Sequence, residues 1–534
     1  MPPATPDEIA TAALDHWEHK LPSHKGKPRA SDEWTVYAAI VATRTTTLTN
    51  NNDNDTDNKI TVVSCATGTK CTAVPPVNRI TSTAAAASTT SATTTTTTTL
   101  PPTADVILHD SHAEVLARRG LLRVLWQEIA MHDGRNSDIG NEGTRSSLLT
   151  KIPNSHRYQL RENVQLHLFV SDSPCGDASI YPLDTLSASS GSMKSDDKSS
   201  LPSDAVPSAS TEYDNHNNNN GLQFTGAKVI VSQETTVSIE DCGGIEAFLL
   251  QDSRVARERI QLLGRLRTKS GRSNLQANQR SDSLSCSDKI VRWCVLGLQG
   301  RALLHHLVEP IRLSSIVVSR DIRNQYDGNG NTGAQWEALY RAIPNRIMAV
   351  KEELLREDVS NMDGNGMQAP NRNMVNADAI DIPKVYIAKP MFAQGKACSE
   401  HANNMASRKR KHDENKNFVK PKLSPTGVCL NWNMWDDTVE LTIGARGIRQ
   451  GKKPKTERDI LKLASRLSRY DIWKISCSIS SAETYLVAKS TETRQNSWRS
   501  VIFRRGPLAG WMVSGVQDLS TVEKETAAPQ SNEI

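Results

Sequence analysis

The chain has 534 residues, 37% hydrophobic, 5% aromatic and 23% charged, with a formal net charge of +5. No run of about twenty apolar residues occurs, which excludes a helical membrane span, and Met1-Pro2-Pro3-Ala4-Thr5-Pro6-Asp7 has no basic region leading into an apolar core, so no secretory leader is expected. The nine cysteines are scattered, which suits reduced thiols and an expected nuclear or cytoplasmic location better than a disulfide framework.

Residues 7–20 predict a first helix capped by Asp7, with apolar residues three and four apart. A turn-rich basic loop, Leu21-Pro22-Ser23-His24-Lys25-Gly26-Lys27-Pro28, follows. Trp34 to Val41 predicts a strand, and Ile60 to Ser64 its hairpin partner beyond a polar tract at 44–58. The Thr/Ala/Ser tract at 82–103 and the Ser/Asp/Asn tract at 187–221 cannot bury enough apolar surface to offset their ordering entropy. They read as disordered insertions within one domain, because the pieces they separate make poor domains alone. Further expectations are a helix from His112 to about Met131, a buried strand at Val164 to Val170, and a helix around 245–264. A second long helical pattern covers Lys289 to Leu307, and a strand is predicted at Ser314 to Val318. Helices and loops alternate over 321–380. Residues 400–424 read as a charged, disordered linker, Val428 to Ile443 as a hairpin, 454–470 and 479–505 as helical, and 518–534 as a disordered tail.

His112 lies two residues before Glu114, at the start of an apolar-periodic run. An imidazole that holds zinc, beside a carboxylate that shuttles a proton, is what hydrolytic deamination of a nucleobase needs. This pair of residues is common by chance, so its weight depends on thiolates elsewhere. Cys175 follows a proline in a turn after a buried strand, where a helix N-terminus favours thiolate. Cys286 stands just before the second helical pattern. With His112 they would make three ligands and leave one tetrahedral position for water. The zinc-deaminase pattern needs a second cysteine three residues after the first, and here Cys286 is far downstream. On spacing alone, a buried structural thiol is the preferred reading of Cys286.

Cations also occur where apolar residues are expected. Arg118 and Arg119 interrupt the stripe Val115, Leu122, Leu125, Trp126 and Ile129, while Lys289 and Arg292 flank Ile290, Val291 and Trp293. Unpaired buried cations are costly. Either they snorkel or pair with Asp177, Glu128 or Glu309, or they enclose a polyanion.

Gly68-Thr69-Lys70-Cys71, His112-Ala113-Glu114, Arg118-Arg119, Pro174-Cys175-Gly176-Asp177, Ser285-Cys286-Ser287-Asp288-Lys289, Gly297-Leu298-Gln299-Gly300 and Glu309-Pro310-Ile311-Arg312 occur in this order. Together they resemble the deaminase domain shared by adenosine deaminases acting on RNA and the eukaryotic tRNA-specific adenosine deaminases. The likeness covers most of the chain outside the low-complexity insertions. It implies one α/β domain over 1–534 with a cytidine-deaminase-like core, a mixed sheet layered by helices, and a C-terminal extension enclosing an inositol polyphosphate. It also implies that His112, Cys175 and Cys286 hold Zn2+ and that Glu114 shuttles the proton. Water activated by zinc would attack C6 of adenine, and inosine and ammonia would result. Arg118, Arg119, Lys289, Arg292 and Gly300 match ligands of inositol hexakisphosphate in the family, with Lys452 and Lys489 as further matches. Asp110, Lys269, Lys289 and Gln299 match a polar relay between the polyphosphate and the zinc site. The chain departs from the pattern at Arg301, where the RNA editors carry a small polar residue, and at His109, where they have Asn. Gly510-Trp511-Met512-Val513-Ser514 also lacks the Glu-Lys pair of some relatives, so the number of phosphate contacts stays open.

Thr69 and Lys70 match positions contacting the sugar and phosphate of the flipped nucleotide, although such a turn by itself is an ordinary basic loop. Arg267-Thr268-Lys269-Ser270-Gly271-Arg272 lies where the RNA editors carry a duplex-penetrating loop and lacks their carboxylate, which argues against duplex editing. Residues 1–60 already run through a helix and strand of the deaminase, so no double-stranded RNA-binding domain is expected before it. The opening pattern through Glu33-Trp34-Thr35-Val36 looks like the tRNA enzymes. The expected substrate is therefore tRNA, at the adenosine 3′ of the anticodon in alanine tRNA, recognised by folded shape and a splayed loop. Editing of duplex RNA, or a catalytically silent RNA-binding protein, are the alternatives. Arg408-Lys409-Arg410-Lys411-His412 reads as a nuclear localisation signal, a tRNA contact or a solvated linker.

Overall fold

The computed structural model describes residues 3–29, 32–45, 59–72, 103–133, 147–183, 222–223, 227–229, 263–269, 281, 283–324, 333–360, 377–412, 422–479, 495–503, 505–509 and 511. The tract at 187–221 and the tail at 518–534 lie outside the described residues, as do nearly all of 44–58, 82–103 and the helix expected at 245–264.

Helix α1 (Pro6–Asp15) is capped by Thr5, not Asp7. Thr5 Oγ1 accepts the Glu8 amide at 3.3 Å and Glu8 Oε2 accepts the Thr5 amide at 2.7 Å, a reciprocal capping box. Asp7 is instead used to accept the Lys389 amide at 2.8 Å. Strands β1 (Tyr37–Arg44) and β2 (Lys59–Thr67) form the expected antiparallel pair. Short strands β3 (Thr69–Cys71) and β4 (Asp110–His112) precede the long helix α2 (Ala113–His132). Strand β5 (Val164–Val170) follows.

The second helical pattern is shorter than its apolar period suggests. Helix α3 (Cys286–Leu296) stops at Gly297, whose φ of 89° continues no helix, and α4 (Gly300–Leu304) restarts it. Strand β6 (Ser315–Ser319), helices α5 (Ala334–Ala342) and α6 (Pro344–Ser360) and strand β7 (Lys384–Ala388) come next. Helix α7 (Lys396–His412) occupies the first half of the stretch read as a charged linker. Its Lys, Ala, Glu, Met and Arg are good helix formers, and it contains neither Gly nor Pro. The chain ends in β8 (Val428–Asn433), β9 (Glu440–Ile443), β10 (Ile448–Arg449), α8 (Glu457–Lys462), α9 (Arg469–Ile479) and α10 (Asn496–Ile502).

One eight-stranded mixed sheet orders these as β7-β6-β5-β1-β2-β8-β9-β10. β5, β6 and β7 run parallel, and the remaining neighbours are antiparallel. Parallel strands need long crossovers, which the helices between them supply. The central strands are apolar on both sides because both faces are covered. On one face, Ala38, Ile40, Leu166, Leu168, Ile316 and Val318 pack under α2, α3 and α6. On the other, Tyr37, Ala39, Val41, Phe169 and Val317 pack under Ile9, Ala13 and Trp17. Trp17 is fully buried, its ring centroid 5.2 Å from those of Tyr37 and Phe392. Truncating such a side chain costs about 3–5 kcal/mol.

Candidate active site

The site is assembled where three distant segments meet at one end of α2. Gly68, at φ 148°, breaks β2 from β3, and a Cβ there would stand 2.0 Å from the Ser111 carbonyl oxygen. That close approach pairs Thr69 with His112, Lys70 with Ser111 and Cys71 with Asp110. His112 is the N-cap residue of α2 in extended geometry, so Glu114 falls in the first turn of the helix.

The second segment leaves β5 through Ser171, whose Oγ accepts the Tyr37 amide at 2.8 Å. Gly176, at φ 108°, lets this loop press against Ser285, and the Cys175 carbonyl accepts from the Ser287 amide at 3.0 Å and hydroxyl at 2.9 Å. The third segment is the start of α3, capped by Ser285 and anchored by the buried Asp288–Arg346 ion pair at 2.6 Å. There the Cys286 amide donates to Cys175 Sγ at 3.4 Å. Cys175 also interacts with the side chains of Cys286 and His112, and the hydrogen bond from Cys286 is the main cause that draws its thiol well below the usual range.

Asp110 is the hub. Its Oδ2 accepts from Lys269 Nζ at 2.7 Å, from Ser283 Oγ at 2.7 Å and from Lys289 Nζ. Its Oδ1 pairs with His112 Nδ1 at 2.8 Å. Burial opposes ionisation of this carboxyl, yet Lys269, Lys289 and His112 together hold it well below the ordinary carboxylate range. Lys269 Nζ also lies 3.1 Å from Cys286 Sγ. Asp110, Lys269, Lys289 and Cys286 thus form one connected polar chain. Gln299 holds the α3–α4 turn instead, accepting the Ile311 amide at 2.9 Å and donating to the Leu296 carbonyl at 3.0 Å.

Burial pushes the Glu114 carboxyl up, and the neighbouring Cys175 pushes it further. Glu114 Oε2, Thr69 Oγ1 and Ser111 Oγ are buried with no hydrogen-bond partner among the described residues. Buried polar atoms are normally satisfied, so each marks a place where a water or ligand would sit.

Among the described residues, the donor group whose ligand atoms all lie within 4.8 Å of one another is Cys71, Asp110 and His112. This differs from the set His112, Cys175 and Cys286. The second set suits a zinc-type ion better, because Asp110 already serves two ammonium groups and a hydroxyl, whereas two sulfurs and an imidazole are soft donors left for a metal. A carboxylate accepting from Nδ1 is also the usual way to orient a metal-binding imidazole through its other nitrogen. Cys71, 3.6 Å from His112 Nδ1, and Ser283 were missed in the sequence. Cys71 stands in the same motif as Thr69 and Lys70, and that was the available signal.

The misplaced cations form a second cluster. The buried stripe of α2 runs through Ala113, Ala117, Leu121, Val124 and Leu125, so Arg118 and Arg119 lie half-buried at its flank. Arg118 stacks over Trp293 at 5.1 Å, and Arg292 over Trp511 at 4.8 Å. A Cβ on Gly300 would lie 3.5 Å from Arg118 Nη2. Arg119 Nε donates to the Leu467 carbonyl. Burial and then the nearby Arg292 and Arg301 push Arg499 down to about 9. Two of the three acids named as partners are occupied elsewhere: Asp177 binds Arg341 at 3.2 Å, and Glu128 accepts the Leu148 and Leu149 amides. Lys289 belongs to the Asp110 hub. Lys452 is exposed on the loop after β10. Lys489 lies outside the described residues. Arg499 was missed, although it sits between the buried Trp498 and Ile502.

A family profile described as an adenosine-deaminase (editase) domain matches residues 88–498. Strands β1 to β3 precede that match; β1 and β2 lie in the eight-stranded sheet, and β3 pairs with β4 at the site. The chain is 26% identical over 579 residues to tRNA-specific adenosine deaminase 1 of Macaca fascicularis, covering 95% of this chain and 98% of that one. It is 30% identical over 344 residues to tRNA-specific adenosine deaminase 1 of Drosophila melanogaster, covering 64% of this chain and 59% of that one. Double-stranded RNA-specific editase B2 of Mus musculus is 27% identical over 215 residues, covering 40% of this chain and 22% of its own. The chain belongs to the adenosine-deaminase (editase) domain family and is a deaminase enzyme.

Proposed function

We propose that the chain hydrolyses adenosine to inosine in tRNA, at the adenosine 3′ of the anticodon of alanine tRNA, with zinc held by His112, Cys175 and Cys286. The observation that carries the reading is Glu114: a buried carboxylate of raised pKa, with an oxygen that has no hydrogen-bond partner among the described residues, beside two thiols and an imidazole. Relatives named as tRNA-specific, matched over nearly the whole chain, support tRNA over duplex RNA. Zinc bound there supplies the Lewis acidity that brings the pKa of water to about 7. The chain's own groups do the rest. Glu114 takes the proton released from water and carries it to N1 of adenine, and the upward push of burial on its carboxyl favours holding that proton. Asp110 orients His112, and Lys269 steadies the Cys286 sulfur. Thr69 and Lys70 contact the sugar and phosphate of the extruded nucleotide. Arg118, Arg119, Arg292 and Gly300, joined by Arg301 and Arg499, hold inositol hexakisphosphate, whose phosphates would neutralise the Arg499 guanidinium that burial and then Arg292 and Arg301 depress.

Alanine tRNA treated with the protein and digested to nucleosides should show inosine by mass spectrometry. Glu114→Ala should show none, yet retain zinc by elemental analysis, since the carboxylate is not a ligand. Inosine at the wobble base alone would overturn the position, and inosine in long duplexes alone would overturn the substrate.

A further inference from the structure

We propose that residues 446–458 form a ridge that seats the phosphate backbone of the RNA beside the entrance used by the target base; the idea rests on the reading of the site as an RNA deaminase. Arg446, Arg449, Lys452, Lys453, Lys455 and Arg458 stand within this stretch against a single acid, Glu457. All six cations are exposed. Elsewhere the fold spends carboxylates on its cations, as in Arg123–Asp436 at 2.7 Å and Arg469–Asp105 at 2.6 Å. Among the described residues, Arg446, Lys452, Lys453, Lys455 and Arg458 make no ion pair. Asp459, the nearest other acid, has Oδ2 committed to the Lys455 and Thr456 amides at 3.1 Å each.

Exposed cations on a soluble protein are usually just solvated, so position has to decide. The turn between β9 and β10 is built against the active-site entrance. A Cβ on Gly444 would lie 3.0 Å from Lys70 Cβ, and the Gly447 carbonyl accepts the Leu108 amide at 2.8 Å. Thr72 Oγ1 donates to the Leu108 carbonyl at 3.0 Å. Lys70 pairs with Ser111, next to His112, so the ridge begins where the entrance strand ends. The loop is also held in shape. The Arg449 amide donates to the Leu463 carbonyl and the Gln450 amide to the Leu441 carbonyl, both at 2.8 Å. The Arg449 side chain reaches the Lys462 carbonyl, and Thr456 closes a capping box on α8. An ordered row of uncompensated cations leading away from a base-flipping site matches the continuing phosphates of the same strand. Backbone contacts of this kind position RNA without reading its sequence.

The test neutralises Lys452, Lys453 and Lys455 to Ala together, leaving Arg449 to hold the loop, with Lys→Arg at all three positions as the charge-preserving control. Binding of a labelled alanine tRNA transcript is measured across salt concentrations, alongside steady-state inosine formation and thermal unfolding. The Ala variant should bind roughly tenfold more weakly, and its plot of log affinity against log salt should be shallower by about 2. KM should rise in step with unchanged kcat, because these groups lie away from the reacting atoms. The Arg control should behave as the parent. Parent-like affinity and salt slope in the Ala variant would overturn the ridge, as would a fall in kcat at constant KM. If the parent binds with this salt dependence but forms no inosine, the ridge stands and the reading of the active site fails.

Discussion

Asp110 and His167 are both buried, and their surroundings drive them to opposite charge states. Asp110 remains ionised against its own desolvation because two ammonium groups reach one of its oxygens. His167 has hydroxyls on both ring nitrogens, Thr43 Oγ1 at 2.9 Å and Ser315 Oγ at 2.8 Å, and burial lowers its pKa to about 4. A folded-state pKa below the unfolded value near 6.5 means that the unfolded chain takes up the proton first as pH falls. The neutral ring therefore contributes its full stability above pH 6.5, and the contribution is lost between about 6.5 and 4, amounting to about 3 kcal/mol. His16 and His306 shift in the same direction, to about 4. The melting temperature should fall steadily from pH 7 to pH 4, and His167→Gln should flatten part of that fall. An unchanged slope in the variant would contradict the assignment. At this scale His112 and Glu114 were legible as candidates because a short motif suggests its own chemistry. The exposure of Lys452 was not legible, because an exposed lysine and a buried one look alike where no apolar period frames them.

A single glycine governs the elements that shape the site. Gly68 combines a φ of 148° with a backbone oxygen 2.0 Å from where a Cβ would be. Gly68→Ala should part β3 from β4 and displace His112. Deamination should fall by more than a hundredfold, with a lower melting temperature, and parent-like activity would show that the pairing is dispensable. Most strands and the helix after His112 were readable from their apolar period. The exceptions have local causes. A glycine with positive φ divided the pattern expected from Lys289 to Leu307, and charge without Gly or Pro made the first half of the presumed linker a helix. Asp7 looked like a cap but satisfies a backbone amide far along the chain, and Thr5 caps instead.

Across the whole molecule, α2, α3, α4 and α10 bring together guanidiniums that no local pattern could have grouped. Like charges this close disfavour the folded state unless a counter-charge joins them. Phosphorus should co-purify with the folded protein and be released only on unfolding. Arg292→Ala with Arg499→Ala should reduce both the bound phosphorus and the melting temperature. Protein free of phosphorus but equally stable would remove the polyphosphate from the account.

The sequence by itself determined the family, the candidate site residues and most of the regular elements, because motif identity and apolar period are properties of neighbours in the chain. The tertiary structure alone decided which of those residues act together. Lys269 meets Asp110 across 159 positions and the Cys286 amide meets Cys175 Sγ across 111. Burial, charge compensation and thiol ionisation follow from such contacts, which chain spacing does not encode.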